Sequence, residues 1–256
     1  MLELIDTHCH LYLDEFAADR DAMIERATQA GVSRFYLPSI DSENFPSILA
    51  MEESYPGKCH AMAGLHPCSV KANYKEELAY FLQFMSSRSF SAVGEIGLDF
   101  YWDRTFENQQ YEAFREQIAW ARHFRKPIVI HSRESMQQSI AVVREEQKGE
   151  LSGIFHCFGD SLESAKEIIG LGFKLGIGGV LTYKNSKLPA VLREIDLEHI
   201  VLETDAPYLT PVPFRGKRNE SAYLVYILSK LAEIKQLSPQ EVARITTQNA
   251  LNIFGS

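Results

Sequence analysis

Short apolar runs alternate with amphipathic helical stretches along the whole chain. Residues 4–7 read as a strand, and residues 20–30 as a helix with Met23, Ile24 and Ala27 on one face and Gly31 as its stop. Strands are expected at 34–38 and 60–64, with a helix at 44–54 between them. The helix at 76–86 sets Leu78, Phe81, Leu82 and Met85 on one side, and the long one at 108–124 turns Phe114, Ile118 and Ala121 inward, with a strand at 92–96 between. The second half keeps the rhythm: strands at 127–130, 152–155, 173–177 and 200–204, helices at 135–146, 161–171, 188–195 and 221–235. A last helix at 238–254 opens with Ser238 as cap, Pro239 in the first turn and Glu241 three residues after the cap.

Eight strand candidates, most followed by a helix and none by a hairpin turn, argue for parallel strands with right-handed crossovers. Eight such units fit a (β/α)8 barrel, of the α/β class, better than the alternative of an open doubly wound sheet. No linker or low-complexity stretch divides the chain, so residues 1–256 read as a single barrel domain. The helices show no long apolar seam, which favours a monomer.

Composition narrows the class. At 256 residues, 45% hydrophobic and 23% charged, the chain is that of an ordinary globular protein, and no apolar run approaches the roughly 20 residues of a membrane span. The first strand begins with neither a basic region nor an apolar leader before it, and the four cysteines form no C-x-x-C pair or disulfide ladder; both point to a cytoplasmic protein. The formal net charge of −8 leaves no overall basic field for nucleic acid, so any polyanionic substrate must be drawn by local charge.

The strand ends carry the chemistry. In a barrel of this kind the site lies at the C-terminal ends of the strands. There the chain places His8 and His10, His66, Glu95 and Asp99, His131 and Arg133, His156, and Glu203 with Asp205. Five of the eight histidines fall at these ends; His60, His123 and His199 sit elsewhere and are assigned no role. Histidines two apart, as His8 and His10 are, point the same way on a strand and suit a shared ion. Glu95, amid Val93, Ile96 and Leu98, is costly to bury unless it is paired or coordinating. Divalent cations sharing that carboxylate would remove the cost; a pocket of hydrogen-bonded histidines without metal is the plainer alternative.

The order H-x-H, G-x-H-P, G-E-I-G-L-D, H-x-R, H-C-F and E-T-D-A-P resembles the TatD family of metal-dependent deoxyribonucleases, across essentially the whole chain. The resemblance implies a barrel with two divalent ions, Zn²⁺, Mn²⁺ or Mg²⁺. His8, His10 and Asp205 would hold one, His131 and His156 the other, and Glu95 would bridge them. It also places His66 and Glu203 near substrate and water.

From the residues themselves, Asp205 is placed to take a proton from an attacking water and Arg133 to hold a phosphate oxygen. Glu203 either supports the site from behind, the preferred reading, or acts directly as acid or base. Arg215, Lys217 and Arg218 give a basic loop beside Tyr208 and Phe214, read as a contact to a DNA phosphate backbone or, alternatively, as a solvated turn. Tyr101, Trp102 and Arg104 form a second candidate substrate edge or a packing cluster. Where the family pattern runs Arg-Asn-Glu-Pro, this chain has Ser221 after Glu220, a departure at the start of a helix.

The site residues point to metal-dependent hydrolysis, and the resemblance implies a phosphodiesterase that trims DNA, of the single-strand 3′–5′ exonuclease type. Hydrolysis of a small ester, amide or lactone is the alternative, since one barrel serves many substrates. A non-catalytic barrel is disfavoured because every recognised ligand position is filled.

Overall fold

The order of elements in the computed structural model, which describes residues 3–255, follows the pattern of the sequence closely. The strands are β1 Leu4–Asp6, β2 Val32–Leu37, β3 Cys59–Ala61, β4 Val93–Asp99, β5 Ile128–Arg133, β6 Gly153–Phe155, β7 Phe173–Ile177 and β8 Ile200–Leu202. The helices are α1 Arg20–Gln29, α2 Phe45–Ser54, α3 Tyr74–Ser87, α4 Glu107–Phe124, α5 Met136–Glu146, α6 Leu162–Gly170, α7 Leu188–Arg193, α8 Leu224–Lys235 and α9 Pro239–Phe254. All strand pairs are parallel and follow chain order, β1 to β3 in one ladder and β4 to β8 in the other. A bridge between Ala63 and Val93 joins β3 to β4, and Thr7 N donates to the Leu202 carbonyl at 3.1 Å to join β8 to β1. The sheet is thus a closed (β/α)8 barrel, as the alternation predicted, and not an open sheet.

Strand alternation divides the apolar residues between two cores. One set faces the helices and forms the large outer core. The other, Ile5, Tyr36, Met62, Ala92, Val129, Ile154 and Val201, fills the lower barrel interior and is sealed underneath by Ala250, Leu251, Ile253 and Phe254 of α9. The final helix is therefore the floor of the barrel. Its Ser238 cap accepts the Glu241 N–H, as expected from the capping residues.

Two local features aim the strand ends. In β4, pairing with β5 slips between Gly94 and Ile96, so Glu95 is an extra residue in the strand. Ala92 packs with the inner set and the space beside Gly94 is closed by the inner Met62 and Val129, whereas Ile96 and Leu98 belong to the outer core. The bulge reverses the parity and turns Glu95 and Asp99 into the barrel. At the other end of the barrel, Gly153 has φ +150° and a Cβ there would overlap the Ile128 carbonyl. Only glycine lets β6 start so close to β5.

Gly153→Ala is therefore expected to destabilise the protein by about 3 kcal/mol, a fall in Tm of roughly 6–12 °C for a chain of this size. Thermal unfolding followed by circular dichroism checks this; an unchanged Tm contradicts the close approach of the two strands.

Candidate metal centre

Five imidazoles converge on one buried carboxylate. Glu95 Oε1 lies 2.8 Å from His131 Nδ1, 2.9 Å from His156 Nε2 and 3.5 Å from His66 Nε2. Glu95 Oε2 lies 3.1 Å from His8 Nε2 and 3.8 Å from His10 Nε2. Asp205 closes the second group, its Oδ1 3.7 Å from His8 Nε2 and 3.5 Å from His10 Nε2. The two oxygens of Glu95 thus serve two different histidine sets. His8 and His156, one from each set, stack with ring centroids 3.8 Å apart.

The expectation that His8 and His10 share a strand face is not met. β1 stops at Asp6, and both histidines lie on the bent segment beyond it. Their rings meet edge to face, 5.1 Å apart, because the backbone there is held from several sides. Asp6 Oδ1 accepts the Thr204 N–H at 2.9 Å, while Asp6 Oδ2 accepts hydroxyls from Thr204 and Ser221, each at 2.6 Å. The His8 carbonyl accepts the Asp205 N–H at 2.9 Å, which ties the two ends of the chain together at the site. Burial pushes the Asp6 carboxyl up to about 7, with the Ser221 and Thr204 hydrogen bonds pulling the other way. Ser221, the departure from the family pattern, has a definite partner here.

Hydrogen bonds behind the rings decide which nitrogens face inward with a lone pair. Tyr12 donates its hydroxyl to the Pro38 carbonyl (2.9 Å), so its oxygen accepts from His10 Nδ1 (2.8 Å) and leaves His10 Nε2 free. His131 Nε2 is 2.8 Å from Asp99 Oδ2, and His156 Nδ1 is 3.4 Å from Glu203 Oε1. Each of these two rings is flanked by Glu95 on one side and another carboxylate on the other, the arrangement that orients metal-ligating histidines. His66 differs. Its Nδ1 accepts the Cys68 N–H at 3.0 Å, so the neutral ring carries its proton on Nε2 and presents a donor, not a lone pair, to the cavity. Although His66, Glu95 and His131 lie close enough to hold an ion, the tautomer argues against His66 as a ligand.

Electrostatics follow from the crowding. Burial raises the cost of ionising Glu95, but His156, His8 and His66 and the His131 hydrogen bond outweigh it and hold the carboxyl well below its usual range. Burial lowers His8 and His66 more than the neighbouring Glu95 raises them. Burial also opposes protonation of His156 and His131, yet the neighbouring carboxylates raise both. His8 Nδ1 and Nε2, His156 Nδ1 and Glu203 Oε2 are buried without a hydrogen-bond partner. Of these, His8 Nε2 faces the shared carboxylate of Glu95 at 3.1 Å, and an orphaned nitrogen donor at that point is what a site built for cations requires. The donor atoms within reach of one another include His8, His10 and Glu95, and His8, His156 and Asp205.

These side chains floor a cavity of about 670 Å³, with Trp102, Arg133 and Tyr208 at its rim and Ile40, Val180 and Leu209 in its walls. A groove of equal volume between α1 and α2 is lined by Asp14, Asp19 and Asp21 and no histidine, and it lies away from this chemistry. Glu203 is fully buried behind His156 and accepts the Cys157 N–H, so it does not reach the cavity as a direct acid or base would. Gly176 makes room for its carboxylate, since a Cβ there would overlap Oε2.

The basic loop does not come to the cavity. Arg218 binds Asp19 through both guanidinium nitrogens, at 2.7 and 2.9 Å, and its Nη1 also donates to the Glu15 carbonyl. Those hydrogen bonds, Arg218 first and Arg26 second, hold Asp19 well below the usual carboxylate range. Glu220 is taken by Arg26 at 2.7 Å, and Asn219 Nδ2 donates to the Thr204 and Tyr208 carbonyls. The segment clasps the Asp205 loop against α1. Arg215 stacks on Tyr183 (4.0 Å) and Lys217 sits 5.9 Å from the Phe214 ring, neither of them lining the cavity. Of the five cations placed near substrate by the sequence, Arg104, Arg133, Arg215, Lys217 and Arg218, only Arg133 lines the cavity.

Three contributors escaped the sequence reading: Tyr12, Asp6, and Asp99 as a partner of His131. Asp99 stood in the quoted motif, but its role depends on the bulge that turns it inward.

Fold and site together define a metal-dependent hydrolase on a (β/α)8 barrel. Comparison with known proteins agrees. The family profile described as TatD related DNase matches residues 5–255. The metal-dependent hydrolase YabD of Bacillus subtilis is 38% identical over 252 residues, 98% of either chain. The metal-dependent hydrolase YjjV of Escherichia coli is 34% identical over 254 residues, 98% of this chain and 97% of that one. The crystal structure of YjjV, a TatD homologue, superposes with a TM-score of 0.92 and 32% identity, covering 99% of this chain and 98% of that one. The chain belongs to the TatD family.

If Asp99 orients His131, Asp99→Asn should weaken divalent-metal binding about 10- to 100-fold with an unchanged circular dichroism spectrum. Competition with a chromogenic chelator measures this; wild-type affinity in the variant contradicts the role.

Proposed function

We propose that the protein is a two-metal phosphodiesterase acting on DNA, trimming single strands from the 3′ end. The observation that carries the reading is the division of Glu95: one oxygen faces His8 and His10, the other His131 and His156. On this reading His8, His10 and Asp205 would hold one cation, His131 and His156 the other, and Glu95 would be shared between them. Zn²⁺, Mn²⁺ and Mg²⁺ all suit mixed imidazole and carboxylate donors. When bound, such ions neutralise phosphoryl charge and lower the pKa of water.

The chain's own groups do the rest. Asp205 is kept ionised: burial opposes this, but the imidazoles around it, His10 first and then His156 and His8, prevail. It is the group placed to accept the proton of the attacking water. The water oxygen bonds to phosphorus as the bond from phosphorus to the 3′-oxygen of the shortened strand breaks; the released nucleotide carries the phosphate, and the leaving 3′-oxygen takes a proton from solvent to become a hydroxyl. His66 Nε2–H points into the cavity as a donor to a phosphoryl oxygen, and Arg133 at the rim supplies a forked pair of donors to the phosphate. Glu203 acts through His156, which it faces at 3.4 Å.

Among the described residues no helix is long and apolar enough to cross a membrane. The four cysteines are free, which suits an enzyme working in the reducing cytoplasm.

The deciding assay incubates labelled single-stranded DNA, duplex DNA and RNA oligonucleotides with protein loaded with Mg²⁺, Mn²⁺ or Zn²⁺. Stepwise release of nucleotides from single-stranded DNA is expected. It should be abolished by EDTA and reduced at least about 1,000-fold in Glu95→Ala, a loss of roughly 4 kcal/mol in transition-state stabilisation. If loaded protein leaves every oligonucleotide intact while cleaving a carboxyl ester or lactone, the small-substrate reading replaces this one.

A further inference from the structure

Large aromatic side chains stand in solvent at the mouth of the cavity. Trp102 is 68% exposed and Tyr101 49% exposed, their rings perpendicular with centroids 4.9 Å apart. The other tryptophan, Trp120, is buried on α4, so this chain does not leave indole in water as a habit. The Arg133 guanidinium lies 3.8 Å from the Tyr101 ring centre and 5.1 Å from that of Trp102, joining a cation to the aromatic pair.

The exposed pair is held firmly. Asp99 Oδ1 accepts the backbone N–H of Tyr101 at 3.0 Å and that of Trp102 at 3.1 Å, while its Oδ2 holds His131. Gln110 brackets the same residue, donating to the Asp99 carbonyl and accepting the Asp99 N–H. One carboxylate therefore sets both a ring of the metal centre and the backbone of the aromatic loop. The distance from the reacting phosphate to the aromatic faces is built into the fold, which a mere packing cluster has no need of.

We propose that Trp102 and Tyr101 form a stacking site for an unpaired nucleobase, next to the phosphate held by Arg133. The proposal rests on the phosphodiesterase reading and specifies its substrate: a DNA end whose bases are free to stack. A π-face that every base offers gives affinity without sequence preference, and a base paired in a duplex cannot present that face. Tyr208, 48% exposed on the opposite rim, lies 6.1 Å from His10 and bounds the same mouth.

The test uses metal-loaded protein and a single-stranded thymidine oligonucleotide with phosphorothioate linkages that resist cleavage. Because Trp120 is buried, saturable quenching of tryptophan fluorescence should report the exposed ring and vanish in Trp102→Phe, while binding by anisotropy of the labelled oligonucleotide persists. Trp102→Ala should weaken binding about 10-fold. The same oligonucleotide with abasic positions at its 3′ end should bind wild type and Trp102→Ala alike. If Trp102→Ala binds the intact oligonucleotide as wild type does, the stacking site is overturned. Cleavage of ordinary oligonucleotides that is indifferent to Trp102 leaves the phosphodiesterase reading standing alone. Binding through Trp102 without cleavage sinks that reading and keeps the stacking site.

Discussion

The structure depends on one buried carboxylate surrounded by imidazoles. A glutamate at that depth, unpaired, costs several kcal/mol, and so does each imidazolium crowded against another. Glu95 is tolerable only because both of its oxygens face nitrogen donors, and the His131 and His10 rings only because Asp99 and the Tyr12 hydroxyl fix their far sides. Displacing any one member leaves another buried polar atom without a partner. The network also contains buried polar atoms without a hydrogen-bond partner, at His8, His156 and Glu203. The nitrogen donors gathered on one carboxylate suit the centre to cations.

Geometry at this centre comes from irregularity, not from regular strand structure. Perfect alternation in β4 would send Glu95 outward among the helices; the extra residue at the bulge brings it in, with Asp99 four positions on. β1 and β8 end early, and it is the bent segments after them that carry His8, His10 and Asp205. Asp205 itself has φ +55°, a conformation aspartate tolerates better than most residues. Asn219 and the Asp6 network with Thr204 and Ser221 hold these segments, doing the work of a strand where none exists.

This explains what could be read from the sequence. Alternating apolar runs and helical faces were enough for the eight strands and nine helices among the described residues, because each is driven by burial along its own length. The strand-end histidines and Glu95 stood out because polar residues closing apolar runs are rare. The loop at 213–219 misled because its cations are equally suited to a polyanion or to neighbouring carboxylates, and the partners of Arg218 and Glu220, Asp19 and Arg26, are some 200 positions away. Tyr12 and Asp6 carry no local signal either, since their partners Pro38, Thr204 and Ser221 become neighbours only when the barrel closes. The barrel and its ligands are general to many hydrolases; the rim, with Arg133, Tyr101 and Trp102, is where a particular substrate is chosen.

The central claim, that Glu95 bridges two cations, is tested most directly by anomalous diffraction from crystals loaded with Mn²⁺, recorded on both sides of the manganese absorption edge. The account predicts two peaks flanking the Glu95 carboxylate, each within coordination distance of a ligand nitrogen or oxygen. One peak should lie against His8, His10 and Asp205 and the other against His131 and His156. A single peak, or two peaks with Glu95 bound to neither, would contradict it.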